Sequence, residues 1–322
     1  MTDNQVLAGI DIGGTSVKFG LFDTTGKILH KERRPTMPEK GATVLMHLVT
    51  NIAERLLYFA AEEDYDVHHL GVGTPGAVDF NAGKVIGTCP NIDGWQGMEI
   101  ATILKERLNM PVWVDNDVNA MALSELHFGA ARGAKSVVCV TVGTGVGGAV
   151  MFDGKLWRGA NHSAGELGHM SIDYDSPQVH SGIPGSIESF CASKAIIGRL
   201  KEAMTDGMTP AFEKVLDGDL SHLTIRKLFA AERARDELAI STIDEAARYL
   251  GTGLAGVVNL LNPEVVVIGG GIAEGGVRFV ETATATIREL AFDSAVEKLT
   301  VVRASLGNDA GFVGAGLLGE IG

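Results

Sequence analysis

Residues 10–23 read IDIGGTSVKFGLFD, and residues 140–153 read VTVGTGVGGAVMFD. Each is a short β-branched run, a Gly/Thr-rich turn, a second apolar run and then Phe-Asp. The pairs Ile12/Val142, Gly13/Gly143, Phe22/Phe152 and Asp23/Asp153 fall in register. Strand, tight glycine turn, strand is the pattern of a β-hairpin. A glycine turn also lets backbone N–H groups face an anion with no Cβ in the way, which is how phosphate is cradled. One such hairpin is as readily an ordinary turn as a phosphate loop. Two copies, opening two halves of one chain, point to a two-lobed phosphate-binding protein.

The rest of the 322-residue chain fits that frame, since its length suffices for two domains with separate cores. Strands are expected at 69–73, 112–116, 264–269 and 299–303. Helical periodicity covers 41–63, 98–108, 117–130, 188–203, 236–261 and 276–291. This alternation predicts an α/β fold of mixed sheets covered by helices. No low-complexity linker interrupts the chain. An N-terminal lobe is therefore expected over 1–118 and a C-terminal lobe over 119–304, joined by a compact hinge near 115–135. The last stretch, DAGFVGAGLLGEIG, reads as a small-residue helix that packs back on the first lobe.

Composition narrows the function. Hydrophobic residues make up 45% and charged residues 21%, as in a folded globular protein. A formal charge of −13 argues against nucleic acid, which needs a clustered positive field. It also argues against polyphosphate as a donor. No apolar run approaches the roughly 18 to 20 residues that span a bilayer. The acidic, polar N-terminus does not read as a secretory signal. Cys89, Cys139 and Cys191 form no CxxC and suit a reducing cytoplasm.

Several motifs fall at strand ends. In VDNDVNA (114–120) a helix follows the strand at once. Asp117 is then either a helix cap, a preferred place for Asp and Asn, or a general base within reach of a substrate hydroxyl. Asp11 would be a poor core residue at the end of an apolar strand. Beside a phosphate loop it suits Mg²⁺, held through water, because Mg²⁺ takes oxygen ligands and keeps part of its hydration shell. VVVIGGGIAEGG (265–276) ends a strand in three glycines. That turn either lies against a nucleoside or simply connects strand to helix, and it lacks the dinucleotide fingerprint.

Together, DIGGTSVKFG, VTVGTGVGG, GTPGAVD (73–79), VDNDVNA, GELGH (165–169) and IGGGI resemble the ROK sugar kinases, in glucokinase-like form. The resemblance runs through nearly the whole chain in the family's order. It implies a two-lobed actin-like ATPase (ribonuclease H-like) fold with ATP and sugar in the cleft between lobes. It further implies that Gly13, Gly14, Thr15, Thr144 and Gly145 hold phosphates and that Gly270 and Gly271 flank the adenosine. Asp117 would be the base. Asn91, Asn116, Glu166, His169 and Glu188 would hold sugar hydroxyls, to which amides and carboxylates are suited.

The family pattern after GELGH carries three cysteines that bind a structural zinc with the histidine. In this chain those positions hold Val179, Ser181 and Ser186, while Gly182, Gly185 and Glu188 keep the framework. Serine is a poor replacement for a thiolate and valine cannot ligate, so no zinc is expected, with or without His180. Ile183, Pro184 and Ile187 are expected to order the loop instead.

The expected activity is ATP- and Mg²⁺-dependent phosphorylation of a hexose, glucose O6 above all. Asn91 stands where glucokinase-like members have Asn and fructokinase-like members tend to have Lys. The alternatives are an N-acetylhexosamine or mannose kinase, or a non-catalytic sugar-binding or regulatory protein. ROK repressors carry a DNA-binding domain ahead of the first motif, which here begins by residue 10. A homo-oligomer, dimer or tetramer, is also expected.

Overall fold

The computed structural model describes residues 4–90, 92–180 and 182–320. Asn91 and Ser181 therefore lie outside the described residues. The chain folds as two units. One comprises Met1–Lys135, Ala149–Gly165 and Ser305–Gly322; the other comprises Ser136–Gly148 and Glu166–Ala304.

The strands in chain order are β1 (Gln5–Ile12), β2 (Ser16–Asp23), β3 (Ile28–Pro35), β4 (Asp66–Thr74), β5 (Val78–Asp79), β6 (Lys84–Val85) and β7 (Val112–Asn116). They continue as β8 (Val137–Val142), β9 (Val146–Phe152), β10 (Lys155–Leu156), β11 (Val179–His180), β12 (Ile183–Pro184), β13 (Val265–Gly269) and β14 (Thr300–Arg303). The first large sheet runs β3-β2-β1-β4-β7, and the second runs β10-β9-β8-β13-β14. β1, β2 and β3 pair antiparallel, while β1–β4 and β4–β7 are parallel. β8–β13 and β13–β14 are parallel too. The two sheets share one plan, and the repeated sequences supply β1–β2 in one and β8–β9 in the other. The fold class expected from the sequence is the one observed.

Each unit has its own apolar core. In the first, Ile10, Phe19, Val72 and Val114 meet Leu45, Val49 and Leu56 of the helix Gly41–Glu62. In the second, Val138, Val140 and Ile268 meet Ala246, Ala247, Leu250 and Leu254 of the helix Glu237–Leu261.

Two departures from the sequence reading have local causes. The helix expected at 188–203 is broken into Ile187–Cys191 and Ser193–Ala203. At the break, the N–H and Oγ of Ser193 both donate to the Gly143 carbonyl, at 2.8 and 2.7 Å. The helix after β7 covers Asp117–His127 and stops short of residue 130. There the fully buried Glu125 carboxylate accepts the N–H groups of Ala130, Ser305 and Leu306. Helices Pro210–Leu216 and Ile225–Arg233, absent from the sequence reading, start on the caps Thr209 and Thr224.

The last helix, Ala310–Leu317, lies directly on the backbone of the first sheet. A Cβ at Gly9 would come 1.8 Å from the Phe312 carbonyl oxygen, and one at Gly71 1.7 Å from that of Ala315. A Cβ at Gly314 would come 1.6 Å from the Ala120 carbonyl oxygen, in the helix that carries Asp117. Gly314→Ala should therefore lower stability by about 1–3 kcal/mol or more, as overpacking against rigid backbone does. Gly256 is the control: it lies exposed in Glu237–Leu261 with nothing within 4 Å of an added Cβ. Gly256→Ala should raise stability by about 0.5–1 kcal/mol. Denaturant midpoints of the two variants check both signs.

Candidate active site

In the first unit, parallel pairing aligns three strand ends, because Asp11 of β1 faces Gly73 of β4, which faces Asp115 of β7. A Cβ on Gly73 would lie 3.5 Å from the Asp117 Cα and 3.9 Å from Asp11 Oδ1. Two candidate carboxylates thus share one edge. Asp11 is 8% exposed and accompanied by Lys18 Nζ at 3.8 Å from Oδ2. Gly311, in the first turn of the last helix, makes room for it; a Cβ there would sit 2.4 Å from the Asp11 Cγ. Burial pushes the Asp11 carboxyl up from 3.8 to about 6, against the pull of the Lys18 ammonium.

The capping role at 116–117 falls to Asn116. Its Oδ1 accepts the N–H groups of Val118 and Asn119 at 2.8 and 3.2 Å, and its Nδ2 donates to the Gly76 carbonyl at 3.1 Å. Asn116 is therefore bound into the fold through both ends of its amide. Asp117, half-buried in the first turn, accepts Val118 N–H at Oδ1, 3.0 Å away. Close to Asn91 in sequence, Trp95 is fully buried and donates its indole N–H to Thr74 Oγ1 at 2.9 Å.

The two glycine turns are held alike. The Gly13 carbonyl accepts the Thr36 hydroxyl at 2.6 Å; the Gly143 carbonyl accepts the Ser193 hydroxyl at 2.7 Å. Both carbonyls are thereby tied to a hydroxyl from outside the turn. Gly14, Thr15 and Thr144 are exposed. In the second unit the turn lies beside the β13 turn. Gly270, at φ +87, could carry no Cβ, which would fall 2.5 Å from the Val142 carbonyl oxygen. Gly271 N lies 4.0 Å from where a Cβ on Gly143 would stand.

Glu188 belongs to this cluster as much as to the expected sugar set. Its Oε2 accepts Val146 N–H at 2.6 Å and lies 2.6 Å from where a Cβ on Gly145 would stand. Glu166 Oε2 is 3.8 Å from His169 Nε2. Burial holds the Glu166 carboxyl above its ordinary range; His169 opposes the shift and Glu188 adds to it. His169 Nδ1 is buried and makes no hydrogen bond among the described residues.

The family's zinc does not fit these residues. His169 Nδ1 would be one nitrogen ligand. Val179 is 59% exposed and has no donor, and Ser186 is fully buried, its Oγ capping the next helix by accepting Ser189 N–H. Main-chain bonds hold the segment instead. Ile172 N–H donates to Gly185 O, Gly185 N–H to Gln178 O and Ile187 N–H to Met170 O, at 2.9, 2.7 and 2.9 Å. The Ser171 hydroxyl donates to Pro184 O at 2.7 Å. Ile187 is buried, while Ile183 and Pro184 are half-buried.

Sequence reading missed Lys18, Asp115 and Arg158. Asp115 stands inside VDNDVNA and could have been singled out. Arg158 has no sequence signal linking it to that motif, though its Nε donates to Asp115 Oδ2 at 2.8 Å.

Asp11 gives the apo protein a signed pH dependence. Between about 3.8 and about 6 the folded state keeps a proton that the unfolded chain releases, so stability falls as pH rises through that window. Asp11→Asn cannot ionise and should become progressively more stable than the parent as pH rises from about 4 to about 7. Denaturant midpoints measured with a chelator present check this. A difference that does not vary with pH would reject it.

Comparison with known proteins agrees with the motifs. A glucokinase of Halalkalibacterium halodurans is 34% identical over 314 residues, covering 96% of this chain and 93% of that one. A glucokinase of Thermotoga maritima is likewise 34% identical, over 96% of this chain and 95% of that one. Among solved structures, a ROK family glucokinase from Streptomyces griseus, in complex with glucose and AMPPNP, superposes with a TM-score of 0.84. It is 31% identical and covers 97% of this chain and 98% of that one. The model of the ROK family matches residues 7–320, and the chain belongs to that family.

Proposed function

We propose that this protein is an ATP-dependent hexose kinase that transfers the γ-phosphoryl group to the 6-hydroxyl of glucose. The observation that carries the reading is the edge where Asp11, a glycine turn and Asp117 stand together at the ends of parallel strands. The glucokinases similar over nearly full length support glucose as the sugar and ATP as the donor.

Asp117 accepts the proton of the attacking hydroxyl, a role that needs a carboxylate within hydrogen-bond reach. With Asn116 capping the helix, the first-turn peptide that bears Asp117 is fixed before substrate arrives. The turns at 13–15 and 144–145 hold the phosphates through backbone N–H groups, and Gly270–Gly271 receive the nucleoside. Glu166, His169 and Glu188, with Asn91 and Asn116, hold the sugar hydroxyls. The partly exposed His169 side chain, its Nε2 3.8 Å from Glu166 Oε2, supports that assignment. Mg²⁺, when bound, neutralises charge on the phosphates, and the Asp11 oxygens are the hard donors suited to it through water. No structural zinc takes part. Exclusion of water protects the phosphoryl group from hydrolysis. Assembly as a homo-oligomer belongs to the same reading and is checked by light scattering.

A coupled ADP-release assay over a hexose panel tests the activity; glucose should give the highest kcat/KM. Asp117→Ala should cost about 10² to 10⁴ in kcat while calorimetry still detects sugar binding. Retention of more than roughly a tenth of kcat would remove Asp117 as the base. The purified protein should carry no stoichiometric zinc by elemental analysis, and chelation should leave its melting temperature unchanged. About one zinc per chain, lost together with activity and restored with it, would overturn that part.

A further inference from the structure

The strand that ends in Asn116, just before Asp117, carries another polar residue, Asp115, which is 1% exposed. Its two oxygens face different tasks. Oδ1 accepts the backbone N–H of Asn116 at 2.7 Å and the side-chain amide of Asn119 at 2.9 Å. Oδ2 accepts Nε–H of Arg158 at 2.8 Å and lies 2.8 Å from its Nη2. Arg158 sits in the loop that follows β10 and runs into Glu166. Its guanidinium carbon lies 3.7 Å above the centroid of Phe80. Phe80 stacks on Trp113, of the same strand as Asp115, with centroids 5.5 Å apart. Four residues on, His162 Nε2 stands 3.5 Å from Asp79 Oδ1, a second attachment of the same loop.

Satisfying a buried charge would explain Arg158 alone. It does not explain what the other oxygen holds. The two donors on Oδ1 belong to residues 116 and 119, one on each side of Asp117. A rotation of the Asp115 carboxylate would break both bonds, one on the peptide that leads into Asp117 and one on Asn119 in the same first turn. Arg158 fixes that rotation with a planar donor group which is itself fixed on an aromatic face.

We propose that Arg158 and Asp115 form a positioning pair for phosphoryl transfer. Arg158 orients the Asp115 carboxylate, which in turn sets the first turn of the helix so that Asp117 meets the sugar hydroxyl. The proposal rests on the kinase reading. Neither residue touches substrate in it.

The test is steady-state kinetics on Asp115→Asn, Arg158→Lys, Arg158→Gln and the Asp115→Asn/Arg158→Gln double variant, with thermal melts of each. In Asp115→Asn the new amide presents N–H groups to the Arg158 donors, so the orientation is lost without a large change in volume. Displacement of a base by about 1 Å costs up to about 100-fold, so kcat per folded enzyme should fall about ten- to hundredfold, with KM for ATP unchanged. Arg158→Lys should lie between, since an ammonium keeps the charge and loses the Nε–H and the planar contact with Phe80. The double variant should be no slower than the worse single variant, because the two act as one unit. Arg158→Gln leaves a buried carboxylate unpaired and is the variant most exposed to unfolding. If it unfolds, Asp115→Asn and Arg158→Lys decide. Folded variants with kcat within about threefold of the parent, or losses that multiply in the double variant, would overturn the pair. A parent protein that releases no ADP with any hexose removes the kinase reading and this pair with it. An active parent with unaltered variants removes the pair alone.

Discussion

The first unit is organised by backbone laid on backbone. The helix Ala310–Leu317 approaches β1 and β4 so closely that Gly9 and Gly71 admit no side chain, and Gly314 meets the Ala120 carbonyl in the same way. Close packing of this kind leaves no slack for rearrangement. One short helix therefore fixes the sheet edge that ends in Asp11 and the helix that begins with Asp117. Gly311 completes the arrangement by letting the Asp11 carboxylate lie against the first turn of that helix, where a helix terminus favours negative charge. The raised Asp11 carboxyl shows that desolvation nevertheless prevails in the apo protein. A cation arriving at that carboxylate would supply the counter-charge that burial withholds.

The repeat works at two levels. In sequence it is a strand, a glycine turn and a strand; in structure it is the same sheet plan twice. The hydroxyls that hold the turns come from unrelated places: Thr36 lies just after β3, whereas Ser193 begins a helix. The geometry is the same in both, a hydroxyl donating to the carbonyl of the first turn glycine. The bond from Ser193 N–H to Gly143 O coincides with the break in the helix at Ala192. Continuing the helix would have taken Ser193 N–H away from Gly143.

What could be read from the sequence follows from the range of the interactions involved. The hairpins, the parallel strands and the long helices are written in local periodicity and were legible, most ends to a residue or two, though β4 starts three residues earlier than expected and the helix after β7 stops three residues sooner. The motif at 114–120 left Asp117 as either cap or base, and the structure assigns the cap to Asn116. The glycines at Gly9, Gly71 and Gly314 were visible as small residues, but the backbone they admit lies far along the chain. Glu125 and the Asp115–Arg158 pair were not legible for the same reason: Arg158 is 43 residues from its partner. Helices Pro210–Leu216 and Ile225–Arg233 are short, and tertiary burial of Phe212, Leu228 and Phe229 sustains them more than any local pattern.

In the segment from Glu166 to Glu188 the positions of the family's three cysteines hold other residues, and main-chain bonds join its turns. A structural zinc contributes on the order of 10 kcal/mol from one centre. The main-chain bonds of this segment contribute about 1 kcal/mol net each, and Gly185 limits it sterically. That glycine has φ +58, and a Cβ on it would fall 1.8 Å from the Asp173 carbonyl oxygen. Distributed bonds yield locally where a metal centre yields only as a whole. The segment's end is nonetheless fixed where it matters, because Glu188 accepts Val146 N–H beside the second glycine turn. One carboxylate thus ties the expected sugar segment to the expected phosphate turn. A shift in either is felt by the other through a single hydrogen bond.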